Sequence, residues 1–422
     1  MQPITDSLPY CTTDLPGTGG HIKSRPEDFI VEELPLYEPS GEGEHLMLFI
    51  EKRRQTTTDV IRRMAKLFKV RRNVIGYAGM KDKHAITRQC FTVQLPGRES
   101  DDEELISRIQ YTPFDLIWSK RHNNKIKRGH LRGNRFTIYM RDVDESKAAT
   151  AEPILKYLET NGMPNFLGEQ RFGYRQNNHI AGRFLLLGQW QEVIDTMLGG
   201  IAPDDNEWFR TGRGAYERGD YAAALQSWPK QLRHERSVLD GLRQGQNAEK
   251  AVMRMDEHQR RFMVSSIQGY MFNRVLERRM NDATYNRLLE GDLAWKHTNR
   301  SVFDVDAETA EIENAPDGRI ASLEVSPSGP MWGARMTRAR GVPGQIENEA
   351  LAEQDLTLDD LATCKHEGGE GKRRALRERL TNVAVETGDD DAGPFIKVTF
   401  ELPRGCFATM AMREIMKPGS HD

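Results

Sequence analysis

The chain has 422 residues, of which 37% are hydrophobic and 29% charged, and its formal net charge is −3. This composition favours a globular protein with two ordinary domains, or one domain with a large insertion, and it argues against nucleic-acid binding through net charge alone. No apolar run of about eighteen residues is present, so a membrane span is not predicted.

The N-terminal part of the sequence predicts alternating strands and helices. Four segments are predicted to be strands, at His45–Glu51, Asn73–Ala78, Gln89–Leu95 and Arg135–Arg141, the last of which alternates between apolar and polar residues. The segment TTTDVIRRMAKLFKV predicts a helix with Thr57 or Thr58 as its N-cap. Its apolar stripe is predicted to consist of Val60, Ile61, Met64, Leu67 and Phe68. Together these elements predict an antiparallel-rich α+β fold.

One carboxylate stands between two lysines in the segment GYAGMKDKHAITRQCFTV, residues 76–93. The segment predicts a strand, a tight loop and a second strand, with Gly79 permitting a turn that a residue with a Cβ would resist. Asp82 then lies at the loop tip, where Lys81 and Lys83 favour its ionised form. An ionised carboxylate beside an electron-poor carbon is a nucleophile. Aspartate in such loops is also common as a plain turn residue, and the pattern alone leaves both roles open.

The sequence becomes predominantly helical after Pro164. Three segments are predicted to be helical, at Arg183–Leu198, Tyr221–Trp228 and Arg261–Met280, and in the last of them apolar residues recur at helical spacing. Strand character returns at Phe395–Leu402, and FATMAMREIM predicts a terminal helix. This order predicts a sheet domain that is interrupted by an insertion and completed by the C-terminal segment.

Five segments in the order found here resemble the tRNA pseudouridine synthase D (TruD) family. They are IKSRPEDFIVEELP (22–35), GYAGMKDKHAITRQCFTV (76–93), GNRFTI (133–138), PNFLGEQRFG (164–173) and LPRGCFATMAMRE (402–414). The resemblance implies a pseudouridine synthase catalytic domain with a mixed, mainly antiparallel sheet and an inserted, mainly helical TruD-specific domain. On this basis the catalytic domain is expected in residues 1–160 and 382–422, and the insertion in residues 161–381.

The resemblance also implies an activity, the isomerisation of uridine to pseudouridine, with uridine 13 in the D arm of tRNA as the implied target. Asp82 matches the family's nucleophile, and Phe136 the position of base stacking. Phe29 and Phe407 match positions of substrate contact, although core packing is the alternative for every Phe here. Asn134 offers a donor and an acceptor for a uracil edge or a ribose, and a turn role is its alternative.

Several charged residues near these motifs have more than one possible role. Lys23, which precedes PEDF, is within plausible reach of a phosphate or of Asp82. Lys81, Lys83 and Arg88 are candidate electrostatic partners of Asp82 and equally candidate phosphate contacts.

Two further side chains stay outside the predicted site. Arg171, in GEQRFG, is expected to form a salt bridge with Glu169 or another acid. His84 is close to Asp82 in sequence, but carboxylate chemistry does not require an imidazole base.

Positive charge is concentrated in two segments although the net charge is negative. Between Lys52 and Arg72 there are nine Lys or Arg residues and one acid, and between Lys120 and Arg135 there are seven and no acid. Both segments flank the candidate site motifs, which favours an RNA-facing surface. A solvated face is the alternative explanation for each segment.

The predicted reaction needs no redox step and no external energy, so no cofactor is expected. Metal binding is not expected either, because the sequence has no HxxxH motif or CxxC pair. The four cysteines are predicted to be reduced thiols, at Cys11, Cys90, Cys364 and Cys406. The start of the chain lacks a signal-peptide pattern, which predicts a cytoplasmic protein, and a monomer is expected.

Two other functions remain compatible with these residues. A non-catalytic RNA-binding protein or chaperone would retain the cleft without turnover. A metal-dependent nuclease would use Asp82 as a metal ligand and would stop working in the presence of a chelator.

Overall fold

The computed structural model describes residues 4–363 and 370–417 of the chain. Its internal contacts separate two compact units. The unit named here the sheet unit contains Thr12–Met163 and the residues from Glu378 onward. The insert unit contains Pro164–Arg377 and the residues up to Cys11. Cys364 lies outside the described residues.

The contact division and the predicted domain limits differ most at the N-terminus, where residues 4–11 pack with the insert unit rather than with the sheet unit. The backbone N–H of Ile4 donates to Gln176 Oε1 over 2.7 Å, and the Thr5 hydroxyl donates to Glu169 Oε1 over 3.0 Å. These hydrogen bonds explain why the first residues do not group with the strands that follow them.

The first part of the sheet unit alternates strands with single helices. Its elements are β1 (Phe29–Pro35), β2 (His45–Arg53), α1 (Thr57–Leu67), β3 (Ile75–Tyr77), β4 (Ile86–Gln94), α2 (Asp102–Ser107), β5 (Phe114–His122), β6 (Leu131–Met140), α3 (Ala148–Asn161) and the short β7 (Met163–Pro164).

The insert unit is mostly helical and carries a small sheet. Its elements are α4 (Asn178–Leu186), α5 (Trp190–Leu198), α6 (Glu207–Glu217), α7 (Tyr221–Ser227), α8 (Arg233–Arg243), α9 (Ala248–Met253), α10 (Glu257–Asn281), β8 (Leu293–Lys296), β9 (Val302–Asp304), α11 (Ala307–Asn314), β10 (Val325–Met331), α12 (Gly341–Ala352), α13 (Leu358–Thr363) and β11 (Lys372–Ala375).

The chain then completes the sheet unit with three strands and a helix. They are β12 (Arg377–Glu378), β13 (Thr381–Asp390), β14 (Gly393–Pro403) and α14 (Ala408–Met416).

The sheet unit is built on one eight-stranded sheet with the strand order β13-β14-β6-β1-β4-β2-β5, and β3 pairs with β4 beside it. Strands β1 and β4 run parallel, whereas the other described pairs of this sheet are antiparallel. The predicted α+β class with a mixed, mainly antiparallel sheet is therefore confirmed. The C-terminal strand β14 pairs with β6 and so completes the sheet that the N-terminal part begins.

The apolar stripe of α1 covers one end of this sheet. Val60, Ile61 and Met64 of the helix pack with alternate residues of β2 and β4, such as Leu48 and Phe91. The burial of these side chains is the main favourable term for this end of the unit.

The predicted N-cap of α1 was wrong by one residue. Thr56 is the N-cap: its hydroxyl accepts from the N–H of Asp59, and the Asp59 carboxylate accepts from the N–H of Thr56. This reciprocal capping box satisfies two donors that the first turn would otherwise leave without partners. Thr57 lies inside the helix and is fully buried, which frees its hydroxyl for another contact.

The core of the insert unit is organised by the 25-residue helix α10, against which α4 packs. The sequence predicted one helix over Arg183–Leu198, but the structure has two, because α4 ends at Leu186 and α5 begins at Trp190. Gly188 between them has φ +66°, a left-handed conformation that stops a helix and that glycine adopts without steric cost.

Residues of one strand alternate between the two faces of the large sheet, and the register aligns neighbouring strands. Val31 lies opposite Phe136, Glu33 opposite Asn134, and Phe136 opposite Phe400. These residues therefore share one face, which we call the site face.

No helix among residues 4–363 and 370–417 combines the length and apolarity that a membrane crossing requires.

Two glycines lie close to the start of the Asp82 loop, Gly76 within β3 and Gly79 after it, and the structure does not give Gly79 the predicted role. Gly79 does not adopt a positive φ, and a Cβ there would meet only Lys81 Nζ at 4.0 Å. The predicted steric need for Gly79 was therefore wrong. A Cβ at Gly76 would lie 2.4 Å from both the carbonyl oxygen of Ile126 and the hydroxyl of Thr92.

We predict that Gly76→Ala lowers the free energy of unfolding by about 1 to 3 kcal/mol, because the added methyl group forces β3 away from its neighbours. Gly79→Ala is the matched control, and we expect it to change the same quantity by less than about 0.5 kcal/mol. Urea unfolding of both variants measures the difference. Equal stability of the two variants would contradict the assignment of Gly76 as the glycine that the loop requires.

Candidate active site

The Asp82 carboxylate lies in the loop between β3 and β4 and is 37% exposed. Lys23 Nζ is 3.2 Å from Asp82 Oδ2, and the Lys23 side chain is 27% exposed. The backbone of Lys23 has φ +65°, a left-handed conformation that is unfavourable for a residue with a Cβ. An accessible carboxylate is thus held in an ion pair by a residue from the segment before β1.

A buried lysine fixes the backbone of the loop. Lys52, near the end of β2, donates from Nζ to the carbonyl oxygens of Asp82 and Gln55, over 2.9 Å and 2.7 Å. Its side chain is 1% exposed. Burial lowers the pKa of Lys52 to about 8, with the positive charge of Lys81 as a further lowering cause. The ammonium group therefore lies directly behind the residue that carries the candidate nucleophile.

A buried ion pair holds the residue before Asp82. Lys81 Nζ lies 2.9 Å from Glu33 Oε2 and donates to Asn134 Oδ1 over 2.6 Å. The side chains of Lys81 and Glu33 are 5% and 1% exposed. Burial raises the pKa of Glu33, while the Lys81 ammonium and the N–H of Cys90, which donates to Glu33 Oε1, oppose that rise.

A third anchor comes from α1 and β4. The backbone N–H of Lys81 donates to the Thr57 hydroxyl over 3.0 Å, and that hydroxyl donates to Gln89 Oε1 over 2.9 Å. The Gln89 amide then donates to the carbonyl oxygen of Gly79 over 3.1 Å. Three anchors, which come from five elements, therefore fix the loop from Gly79 to Asp82, which is the preorganisation that a catalytic group requires.

An aromatic cluster continues from Lys23 across the site face. Lys23 Nζ lies 4.3 Å from the centroid of the Phe29 ring, a cation–π distance. The Phe29 and Phe136 centroids are 6.3 Å apart in an edge-to-face arrangement, and Phe136 and Phe400 are 5.6 Å apart. Phe29 and Phe136 are only 3% and 7% exposed, so their rings pack mainly against one another here.

These contacts bring together five of the six residues that the sequence placed in the site. Lys23 contacts Asp82 and Phe29, Phe29 contacts Phe136, and Asn134 reaches the loop through Lys81. Phe407 is half-buried at the start of α14, and no hydrogen bond or ring contact joins it to the other five within the described residues. The roles of all six residues remain predictions.

The expected electrostatic partners of Asp82 need correction. Lys81 pairs with Glu33 instead, and Lys83 and His84 are exposed. Arg88 pairs with Glu32 over 3.1 Å and with Glu51 over 2.9 Å. The reason is strand alternation, because Arg88 points to the face of the sheet opposite the site face.

The two basic segments are less uniform than the sequence suggested. Lys52 is buried, and Arg121, at 8% exposure, pairs with Asp102. Arg135 pairs with Glu401 over 2.7 Å. Exposed cations in the same segments include Lys66, Lys69, Lys127 and Arg132. Only part of each segment is therefore available to an anionic partner.

Arg171 does not form the salt bridge that the sequence predicted. Glu169 accepts a hydrogen bond from Thr5, and no carboxylate of residues 4–363 and 370–417 lies within ion-pair distance of Arg171. Nor does this part of the chain bring three or more His, Cys, Asp or Glu side chains together in a way that could hold a metal ion.

Sequence reasoning missed the residues that support the loop, namely Glu33, Lys52, Thr57 and Gln89. Two of these four residues could have been recognised from their position in the sequence pattern. Lys52 follows Leu46, Leu48 and Ile50 at a spacing of two, and Glu33 follows Phe29 and Val31 in the same way. A charged residue in an inward position of an alternating strand indicates a buried partner.

Comparison with known proteins gives consistent results. The family model described as tRNA pseudouridine synthase D (TruD) matches residues 7–415. The chain is 39% identical over 417 residues to a tRNA pseudouridine synthase D of Geobacter metallireducens, with 98% of each chain covered. It is 40% identical over 416 residues to that of Geobacter sulfurreducens, with 97% of each chain covered.

A solved structure supports the same relationship. The crystal structure of the putative tRNA pseudouridine synthase D (TruD) from Methanosarcina mazei superposes with a TM-score of 0.79 at 26% identity. The match covers 98% of this chain and 97% of that one.

We predict that Glu33→Gln lowers the free energy of unfolding by about 3 to 5 kcal/mol, because it leaves the Lys81 ammonium buried without a counter-charge. The double variant Glu33→Gln with Lys81→Met removes both charges and is expected to recover part of that loss. Urea unfolding of the parent, the two single variants and the double variant gives the coupling energy. Additive effects of the two single substitutions on the free energy of unfolding would contradict an ion pair between Glu33 and Lys81.

We further predict that Lys52 makes stability depend on alkaline pH. The folded-state pKa of about 8 lies below the ordinary value of 10.5, so between these values the unfolded chain binds more protons than the folded chain. The contribution of Lys52 to the free energy of unfolding should therefore increase as the pH rises through this window, by up to about 3 kcal/mol.

Urea unfolding at about pH 7 and about pH 10 tests this dependence in the parent, in Lys52→Met and in the control Lys83→Met. Lys83→Met removes an exposed lysine from the same loop and should behave like the parent. An identical pH dependence in the parent and Lys52→Met would show that burial does not shift the Lys52 pKa.

Proposed function

The chain belongs to the tRNA pseudouridine synthase D family, and we propose that it isomerises uridine 13 in the D arm of tRNA with Asp82 as the nucleophile. Family membership makes the chain a tRNA pseudouridine synthase, an RNA-modifying isomerase. The target nucleotide and the nucleophile are the parts that this proposal adds. A monomeric state and a cytoplasmic location remain predictions from the sequence.

The reaction rearranges one nucleoside without a change in composition. The N1–C1′ glycosidic bond breaks, the base turns, and a C5–C1′ bond forms. C5 loses its proton and N1 gains one, so the atoms balance without an oxidant, a reductant or an energy source. A carboxylate serves this reaction by adding to C6 of the base or by capturing C1′ of the sugar.

The observation that carries the proposal is the environment of Asp82. Its carboxylate is accessible and ion-paired with Lys23, whereas the backbone of the same residue is hydrogen-bonded to a fully buried lysine. A plain turn aspartate would need neither feature. Asp82 thus combines a fixed position with an exposed reactive atom, which are the two requirements for a nucleophile.

The proposal requires the uridine to leave its stack in the RNA. Flipping a nucleotide out costs a few kcal/mol, which contacts to the extruded base must offset. Asn134, fixed by Lys81, offers its remaining amide donors to a uracil edge or a ribose. Stacking on Phe136 would contribute about 1 to 3 kcal/mol, and it requires the ring to be uncovered from its packing with Phe29.

We predict that Asp82→Asn abolishes pseudouridine formation, because the amide keeps the shape of the carboxylate but loses its nucleophilicity. The affinity for tRNA should change by less than about threefold, since the substitution removes no phosphate contact. Asp59→Asn is a control for the loss of a carboxylate elsewhere in the same unit, because Asp59 is a half-buried helix-capping residue. Nucleotide-resolution pseudouridine mapping of treated tRNA measures both the activity and the position.

Each rival function gives a different result in this experiment. A non-catalytic RNA-binding protein would bind tRNA and leave every uridine unmodified. A metal-dependent nuclease would cleave the tRNA and would stop in EDTA, whereas the isomerase should remain active in EDTA and leave the chain intact. Full turnover by Asp82→Asn would show that this residue is not the nucleophile. Modification at another nucleotide would contradict the proposal that uridine 13 is the target.

A further inference from the structure

Arg171 lies in the short 3-10 turn Glu169–Phe172 of the insert unit. Its backbone is fixed on both sides, because its N–H donates to the carbonyl oxygen of Gly168 over 2.9 Å and its carbonyl oxygen accepts from the Ser266 hydroxyl over 2.6 Å. The side chain therefore begins from a well-defined point beside α10.

Helix α10 leaves space for the stem of this arginine. A Cβ built at Gly269 would lie 3.3 Å from Arg171 Cγ and 3.8 Å from Arg171 Nε. Glycine inside a helix costs about 1 kcal/mol relative to alanine. Gly269 lies near the middle of α10, so the helix carries this cost at the position where the arginine packs.

The guanidinium group of Arg171 has no partner among the residues that the structure describes. Within the part of the chain that the structure describes, it donates no hydrogen bond and forms no ion pair, and its Nε is buried without an acceptor. Burial, followed by the positive charge of Arg374, lowers the pKa of Arg171 to about 10. A half-buried cation without an acceptor is unusual, because buried polar groups are almost always hydrogen-bonded.

A second arginine, Arg374, is held near Arg171 by contacts of its own. Arg374 donates from Nε to the carbonyl oxygen of Asn165 over 3.3 Å, and its guanidinium lies 5.4 Å from the centroid of the Phe272 ring. It therefore adds positive potential around Arg171. That potential disfavours a cationic ligand and favours an anion.

We propose that Arg171 binds a phosphate group of the tRNA backbone. The proposal deepens the proposed function, from which it takes the tRNA substrate. A guanidinium presents a planar fork of N–H donors that matches two oxygens of a phosphate, and a fixed arginine loses little entropy when it binds. A structural role would instead require a carboxylate or carbonyl partner, which the described residues do not supply.

The test compares Arg171→Met with Arg338→Met. The first keeps an apolar stem against Gly269 and removes the charge, whereas the second removes an exposed arginine of the same unit. We expect tRNA affinity to fall about tenfold in Arg171→Met, as for the loss of one charge-assisted contact. The slope of log Kd against log salt concentration should also decrease by about 0.7 to 0.9 relative to the parent.

Thermal unfolding without RNA separates a phosphate-binding role from a structural role, because the loss of a structural contact would lower the Tm. Removal of an unpaired buried charge should leave the Tm of Arg171→Met equal to or above that of the parent. Inorganic phosphate should raise the Tm of the parent and not that of Arg171→Met. Gly269→Ala, which retains the guanidinium but displaces its stem, should weaken tRNA binding in the same direction as Arg171→Met.

Three results would overturn the proposal. Equal salt slopes for Arg171→Met and Arg338→Met would show that Arg171 contributes only net charge. A lower Tm with unchanged tRNA binding would assign a structural role. Stabilisation of the parent by inorganic phosphate with an unchanged tRNA slope would assign a free-anion site. These binding measurements involve no turnover, so they stand apart from the outcome for Asp82→Asn.

Discussion

Two buried lysines determine the position of the Asp82 loop. Lys52 binds the carbonyl oxygen of Asp82 itself, and Lys81 is held by Glu33 on the adjacent site face. Both ammonium groups are almost completely removed from water, so each requires its partners if the sheet unit is to fold. The same contacts that satisfy these charges fix the loop. The Asp82 side chain remains accessible because Lys52 binds the main chain of Asp82, while Lys81 binds Glu33 and Asn134.

Local patterns in the sequence were sufficient for much of the fold. Strand-like patterns located five strands of the large sheet but not β5 or β13, helical spacing located α1 and α10, and the ordered motifs identified the family. The errors have local physical causes. The N-cap of α1 shifted to Thr56 because Thr56 and Asp59 form a reciprocal pair, and one predicted helix became two because Gly188 takes a left-handed conformation.

The sequence indicated which residue types form the site but not which residues contact one another. The sequence placed Asp82 between two lysines, yet the ion pair comes from Lys23, 59 residues away along the chain, for which the sequence left a phosphate and Asp82 open as contacts. Strand register brings distant residues together and sends Arg88 to the opposite face, and neither effect can be read from neighbours in sequence. Glu33 and Lys52 were the detectable exceptions, since each breaks an inward-facing apolar alternation. Arg171 is a case in which the sequence predicted a contact that the structure lacks, because no acid pairs with it within the described residues.

The backbone conformation of Lys23 has an evolutionary consequence. A left-handed residue with a Cβ costs roughly 1 kcal/mol or more relative to glycine, so selection for stability alone would replace this lysine with glycine or asparagine. Either substitution would remove the ammonium group that Asp82 contacts. A search for stabilised forms of this protein would therefore tend to break the ion pair of the candidate nucleophile, so at position 23 thermal stability and the proposed activity would make opposite demands on a single side chain.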